Sequence, residues 1–163
     1  MKRRQPVRQP YDRVLIVCEG AKTEPNYFLE IRRAERLASA HVRIIPSELG
    51  TEPLQIVESA IAEFEKDRGF DRIYVVFDRD DHRTYANAIA RAEAINGRMK
   101  NDEKEQVSFE AIVSVPSFEL WLLLHFADIQ AWFHRDEIAQ RLRQHIAAYT
   151  NPRAQQPSSR LTP

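Results

Sequence analysis

Glu19 directly follows the apolar run Val14–Cys18, and Asp78-Arg79-Asp80-Asp81 closes a second apolar run, Arg72–Asp78. Asp78 and Asp80 are two residues apart, so in extended backbone their side chains point the same way. Like charges held that close repel and push a proton onto one of the pair. A divalent cation removes the conflict. Hard carboxylate oxygens from one or two sides, with water and a substrate phosphate completing the shell, suit Mg²⁺, or Mn²⁺ as a substitute, better than Zn²⁺. No Cys/His cluster in the sequence offers a zinc site. The plain alternative is a solvated Asx turn, which an Asp-rich segment after a strand often forms.

A further acid, Glu119, stands in Ser117-Phe118-Glu119-Leu120, among residues that want burial. It either complements a helix N-terminus or, because a lone acid in apolar surroundings is costly unless paired or metal-bound, belongs to the same site. Lys22 follows the Glu19-Gly20 turn. It is placed either to meet a phosphate near a helix start or to stand in solvent. Glu24 reads as a first-turn acid rather than a ligand, and Glu48 with Gly50-Thr51 as structural turn chemistry. His125 reads as a satisfied core histidine, and Trp121, Leu122, Leu123, Leu124 and Phe126 as core. Arg135, Arg141 and Arg143 fit either phosphate contact or a solvated helix face.

The elements that must position these residues alternate in type. Arg13–Cys18, Val42–Pro46, Arg72–Asp78 and Val107–Ser114 are short β-branched or apolar runs that read as strands. Between them lie helical segments. One starts at the cap Thr23 with Pro25 in its first turn and reaches Ala38. One starts at Thr51 and Pro53 and reaches Arg68, where Gly69 stops it. A third covers His82–Met99, with Asn96–Glu105 polar enough to loop out. Ser117–Phe126 and Arg135–Ala148 follow as helices. Such alternation predicts an α/β fold with a parallel sheet of about four strands flanked by helices. Ligands in such sheets gather at the carboxyl ends of the strands, where Glu19, Asp78–Asp81 and Glu119 all fall.

At 163 residues, 43% of them hydrophobic, the chain supports one domain with a real core. That domain spans 11–149, between a basic segment 1–10 and a Pro/Ser/Gln-rich tail 150–163, both expected to be disordered. A net charge of zero rules out a whole-protein basic field, so any nucleic-acid contact must come from local patches, an ion or a partner. One cysteine within an apolar run fits a reducing, cytoplasmic setting. No apolar run approaches bilayer length, so no membrane association is expected.

Three segments together resemble the RloB family, whose members belong to the Toprim superfamily: VLIVCEGAKTEPNYF at Val14–Phe28, YVVFDRDD within Ile73–Asp81, and SVPSFELWLLLHF at Ser114–Phe126. They fall in the family's order over about residues 13–126. The resemblance implies a Toprim-like (Rossmann-like) fold with Glu19, Asp78 and Asp80 as the metal-binding and catalytic acids. A second ion would recruit Asp81 or Glu119, and Lys22 would meet phosphate. It also implies a role in restriction-linked, abortive phage defence, with an ATPase partner and nucleic acid as substrate. Ser117 stands where relatives often have cysteine. Relatives usually continue with further helices, whereas this chain turns after Tyr149 to Pro/Ser/Gln, as expected of a C-terminally truncated member. Topoisomerases and primases need segments that a chain of this length lacks, which leaves a Mg²⁺-dependent nuclease. Two other classes stay open: a different phosphoryl-transfer enzyme, and a non-catalytic Mg²⁺-binding module of an ATPase complex.

Overall fold

The structure, a computed structural model, describes residues 11–79 and 82–146. The expected disordered ends 1–10 and 150–163 lie outside those residues, as do Asp80 and Asp81.

Four strands form one sheet in the order β2-β1-β3-β4: β1 Val14–Cys18, β2 Val42–Pro46, β3 Arg72–Asp78 and β4 Ser108–Ser114. All three pairings are parallel. The arrangement is α/β and Rossmann-like. Its central strands β1 and β3 are apolar nearly throughout because helices cover both faces. Side chains alternate across the pleat. On one face Leu15, Val17, Ile73, Val75, Phe77 and Phe109 pack with Ile56, Phe64 and Ala88 from α2 (Pro53–Lys66) and α3 (Tyr85–Ile95). On the other, Ile16, Cys18 and Val76 meet Tyr27 and Phe28 of α1 (Thr23–Ala34) and Phe118, which precedes α4 (Glu119–Leu124). The last described helix, α5 (Arg135–His145), seats Ile138 and Leu142 against Leu123 of α4.

Element boundaries differ from the sequence expectations where side chains are spent on neighbours rather than on their own helix. Helix α1 begins at Thr23, with Lys22 as its cap residue. Glu52, not Thr51, precedes α2, and its backbone N–H donates to Gln55 Oε1 at 3.3 Å. Helix α3 starts at Tyr85 rather than His82, because His82 and Thr84 both engage Glu52. After Ile95 the chain turns through Gly97 at φ 70°, a left-handed conformation suited to glycine, and the polar stretch loops back through a Lys100–Gln106 bridge.

The expected apolar core helix at Ser117–Phe126 is only Glu119–Leu124. Leu123 is buried and Leu122 half-buried, but Trp121, Leu124 and Phe126 are exposed. A helix this short can press one flank on the sheet and another on α5, and its remaining side chains face outward. His125 is likewise exposed, with its Nε2 3.1 Å from the Tyr27 hydroxyl.

Candidate functional site

The strand order reverses its direction of travel at β1: the chain first steps outward to β2, then crosses back to β3. At such a switch point the loops leaving the two central strands part and open a crevice at their carboxyl ends. Glu19 follows β1 and Asp78 ends β3, so both lie at the carboxyl end of the sheet beside this switch point.

The backbone fixes them there. Glu19 N–H donates to Val76 O at 2.8 Å, extending the β1–β3 ladder one residue past the strand. Asp78 pairs in register with Ser114 of β4, whose carbonyl accepts from Arg79 N–H at 2.9 Å. Glu19 and Asp78 are then joined directly, since Asp78 N–H donates to Glu19 Oε2 at 2.9 Å. Both residues are almost fully buried, at 3% and 4% exposure. Arg135 of α5 brings a guanidinium nitrogen to 4.0 Å from Asp78.

A second pair of buried acids lies on the same edge. Glu24 stands in the first turn of α1, as expected, and is buried; its carboxylate occupies the space over Gly20, where a Cβ would come within 2.2 Å of Glu24 Oε2. Burial raises the Glu24 carboxyl above its ordinary value, and the negative charge of Glu119 adds to the rise. Glu119 is itself buried at the start of α4 and accepts from Ser117 Oγ at 2.5 Å. Cys18 is a buried, free thiol whose pKa is pushed up by burial and then by Glu24, so it is inert rather than nucleophilic.

The third feature is a relay that the sequence reading missed. His82 Nδ1 lies 3.2 Å from Glu52 Oε1, and Thr84 Oγ1 donates to Glu52 Oε2 at 2.9 Å. The Thr84 hydroxyl, then His82, hold the Glu52 carboxyl below its ordinary value. The other ring nitrogen, Nε2, lies 3.8 Å from Glu19 Oε1. These contacts join positions 30 residues apart and more, so no local pattern announces them; a histidine just beyond an Asp-rich strand end was the only signal available.

Of the residues singled out from sequence, the fold brings Glu19 and Asp78 into contact and places Glu119 in the same sheet edge, beside Glu24. Lys22 is exposed at the cap of α1. Asp80 and Asp81 lie outside the described residues. Among the described residues, no three His, Cys, Asp or Glu side chains stand close enough to hold a metal ion by themselves. What is present is a pair of buried hard-oxygen donors, the chemistry that Mg²⁺ takes when it keeps water in its shell. Among the described residues no helix is long and apolar enough to cross a membrane.

A sequence model of a protein family described as RloB-like protein matches residues 14–162. No curated protein and no solved structure matches the chain.

Proposed function

Since the chain belongs to the RloB-like protein family, we propose that it is a Toprim-type, Mg²⁺-dependent nuclease. One observation carries the proposal: two buried carboxylates, Glu19 and Asp78, are locked together at the switch point by the 2.9 Å bond from Asp78 N–H to Glu19 Oε2. Proteins rarely bury adjacent acids without a use for the charge.

Glu19 and Asp78, with Asp80 beyond the described residues, would hold the ion, and Glu119 or Asp81 would serve a second one. When bound, Mg²⁺ supplies Lewis-acid polarisation of a phosphodiester and orientation of an attacking water. The chain's own groups do the rest. The Glu19 main chain donates to Val76 O, and its carboxylate accepts from Asp78 N–H, which orients Oε2. Three cationic residues follow the same strand ends, Lys22 after β1 and Arg79 and Arg83 after β3, and Arg135 of α5 stands beside Asp78. A neutral protein that binds a polyanion needs such a local collar, and these side chains would seat the phosphates on either side of the scissile bond. The family resemblance supports an ATPase partner, a setting in phage defence and a cytoplasmic location.

The test is cleavage of DNA and RNA with Mg²⁺ or Mn²⁺, with and without the partner ATPase, by the parent and by Glu19→Gln. The amide keeps the shape and the acceptor for Asp78 N–H but removes the charge. Metal-dependent cleavage that Glu19→Gln abolishes, with binding retained, supports the proposal. Cleavage at the parental rate by Glu19→Gln overturns it. Metal binding with no cleavage under any partner condition favours a non-catalytic Mg²⁺-binding module.

A further inference from the structure

Trp132 stands on the loop between α4 and α5 and is 75% exposed. Leaving an indole in water is costly, and the loop holds it there by fixing its neighbours. Phe133 turns inward to the cluster of Leu123, Ile138 and Leu142, and the Arg141 guanidinium lies over the Phe133 ring at 4.1 Å. His134 caps α5: its Nδ1 accepts from Asp136 N–H at 3.4 Å, and its own backbone N–H donates to Glu137 Oε2 at 2.9 Å. The Trp132 ring is braced against the His134 imidazole in a T-shaped contact, with centroids 6.5 Å apart. At 75% exposure the rest of the ring faces solvent.

This loop ends beside the buried acids. Arg135, three positions after Trp132, brings its guanidinium to 4.0 Å from Asp78. Three residues of chain span at most about 11 Å, so a strand seated on Arg135 passes the indole within a few nucleotides. The neighbouring acids are taken up locally: Glu137 by the cap, Asp136 beside His134 at 3.4 Å, and Asp128 by the Gln130 amide at 2.8 Å. A cation for the backbone next to an open aromatic face for the base is the pairing by which proteins hold single-stranded nucleic acid.

We propose that Trp132 is a stacking platform for an unpaired base, so that the substrate of this edge is single-stranded DNA or RNA, or an unpaired segment of a duplex. Resting on the reading that the edge acts on a nucleic-acid phosphodiester, the assignment names the strand state that it accepts. Inside a duplex both faces of a base are covered by its neighbours, and the indole finds a partner only where a base is unstacked. Every base has a π face, so the platform selects single strands with little regard to sequence.

The experiment is binding by the full chain, in chelator and again in Ca²⁺, of oligothymidylate and oligouridylate of about twelve nucleotides, a base-free strand of the same length and a blunt duplex. Trp121 and Trp132 are the two tryptophans of the chain, so in a Trp121→Phe background indole fluorescence reports Trp132 alone. The expected result is quenching by the thymidylate, the uridylate or both, and none by the base-free strand. Trp132→Ala should weaken single-strand binding about tenfold, with Trp132→Phe restoring most of it and the salt dependence unchanged, since no phosphate contact is removed. Single strands bound as tightly by Trp132→Ala as by the parent overturn the platform and leave the nucleic-acid reading standing, and an equal loss on the duplex does the same. No binding of any strand or duplex in either condition overturns both.

Discussion

The two ends of the sheet are both rich in acids and treat them in opposite ways. At the amino-terminal edge, Asp12 pairs with Arg72 at 2.7 Å and Asp67 with Arg13 at 3.1 Å. Asp71 there accepts from Arg13 N–H at 2.7 Å and from the Asn101 side-chain amide at 2.9 Å. These carboxylates are part-exposed and held by cations or amides, which is how acids serve a fold. At the carboxyl edge Glu19, Glu24, Asp78 and Glu119 are all buried, and Glu24 is pressed against the charge of Glu119. Burial and the nearby charge of Glu119 disfavour the ionised form of Glu24 there. Acid count alone does not separate the two edges; burial and like-charge crowding do.

The largest effect should come from removing charge at the carboxyl edge. Glu19→Gln should slow metal-dependent cleavage by about a hundredfold, equivalent to about 3 kcal/mol of transition-state stabilisation, while circular dichroism and the unfolding midpoint change little. If cleavage survives and the midpoint collapses, this edge is structural like the other one.

At the opposite edge the pattern should invert. Asp71→Ala strips the partners from Arg13 N–H and Asn101, so it should cost about 2 kcal/mol of stability, read as a lower urea midpoint at unchanged slope, with Mn²⁺ affinity unaltered. Loss of metal binding in that variant would erase the distinction between the edges.

Glu24 gives a smaller effect with a defined pH dependence. Its folded pKa lies above the unfolded one, so the folded chain binds more protons between the two values. In metal-free buffer, therefore, the contribution of Glu24 is most favourable in acid and is lost as pH rises from the ordinary carboxylate value through the raised one. Glu24→Gln should remove that slope and raise stability at neutral pH by about 1 kcal/mol, measured by denaturant unfolding across pH. An unchanged slope would mean that Glu24 is not strained by its neighbours. Smallest of all, Arg72→Ala breaks an ion pair whose partners are about half exposed, and should shift stability by less than about 1 kcal/mol.

Much of this was legible in the sequence. Val14–Cys18 and Arg72–Asp78 are strands because both faces are buried, and continuous apolar runs report that directly. The placement of Glu19 and Asp78 together at the carboxyl edge was legible because each directly ends a strand run of a parallel sheet. Glu24 stands in the first turn of α1 as expected, but its burial was not legible, because that depends on α1 seating it over Gly20 and near Glu119, which lies 95 positions further along the chain. His82 and Glu52 were missed for the same reason, being joined only when the loop after β3 meets the start of α2. Trp121, Leu124 and Phe126 were misassigned to the core because an apolar run shows no face when the helix is too short to be buried all round.

The central claim is that the carboxyl edge binds a divalent ion through Glu19 and Asp78, and the thermal midpoint with and without that ion tests it most directly. The parent should be stabilised by about 2.7 kcal/mol at a hundredfold excess of Mg²⁺ or Mn²⁺ over its dissociation constant. Asp78→Asn should be folded, at least as stable as the parent without metal, and insensitive to either ion. A parent that ignores both ions, or an Asp78→Asn variant stabilised as much as the parent, would contradict the account.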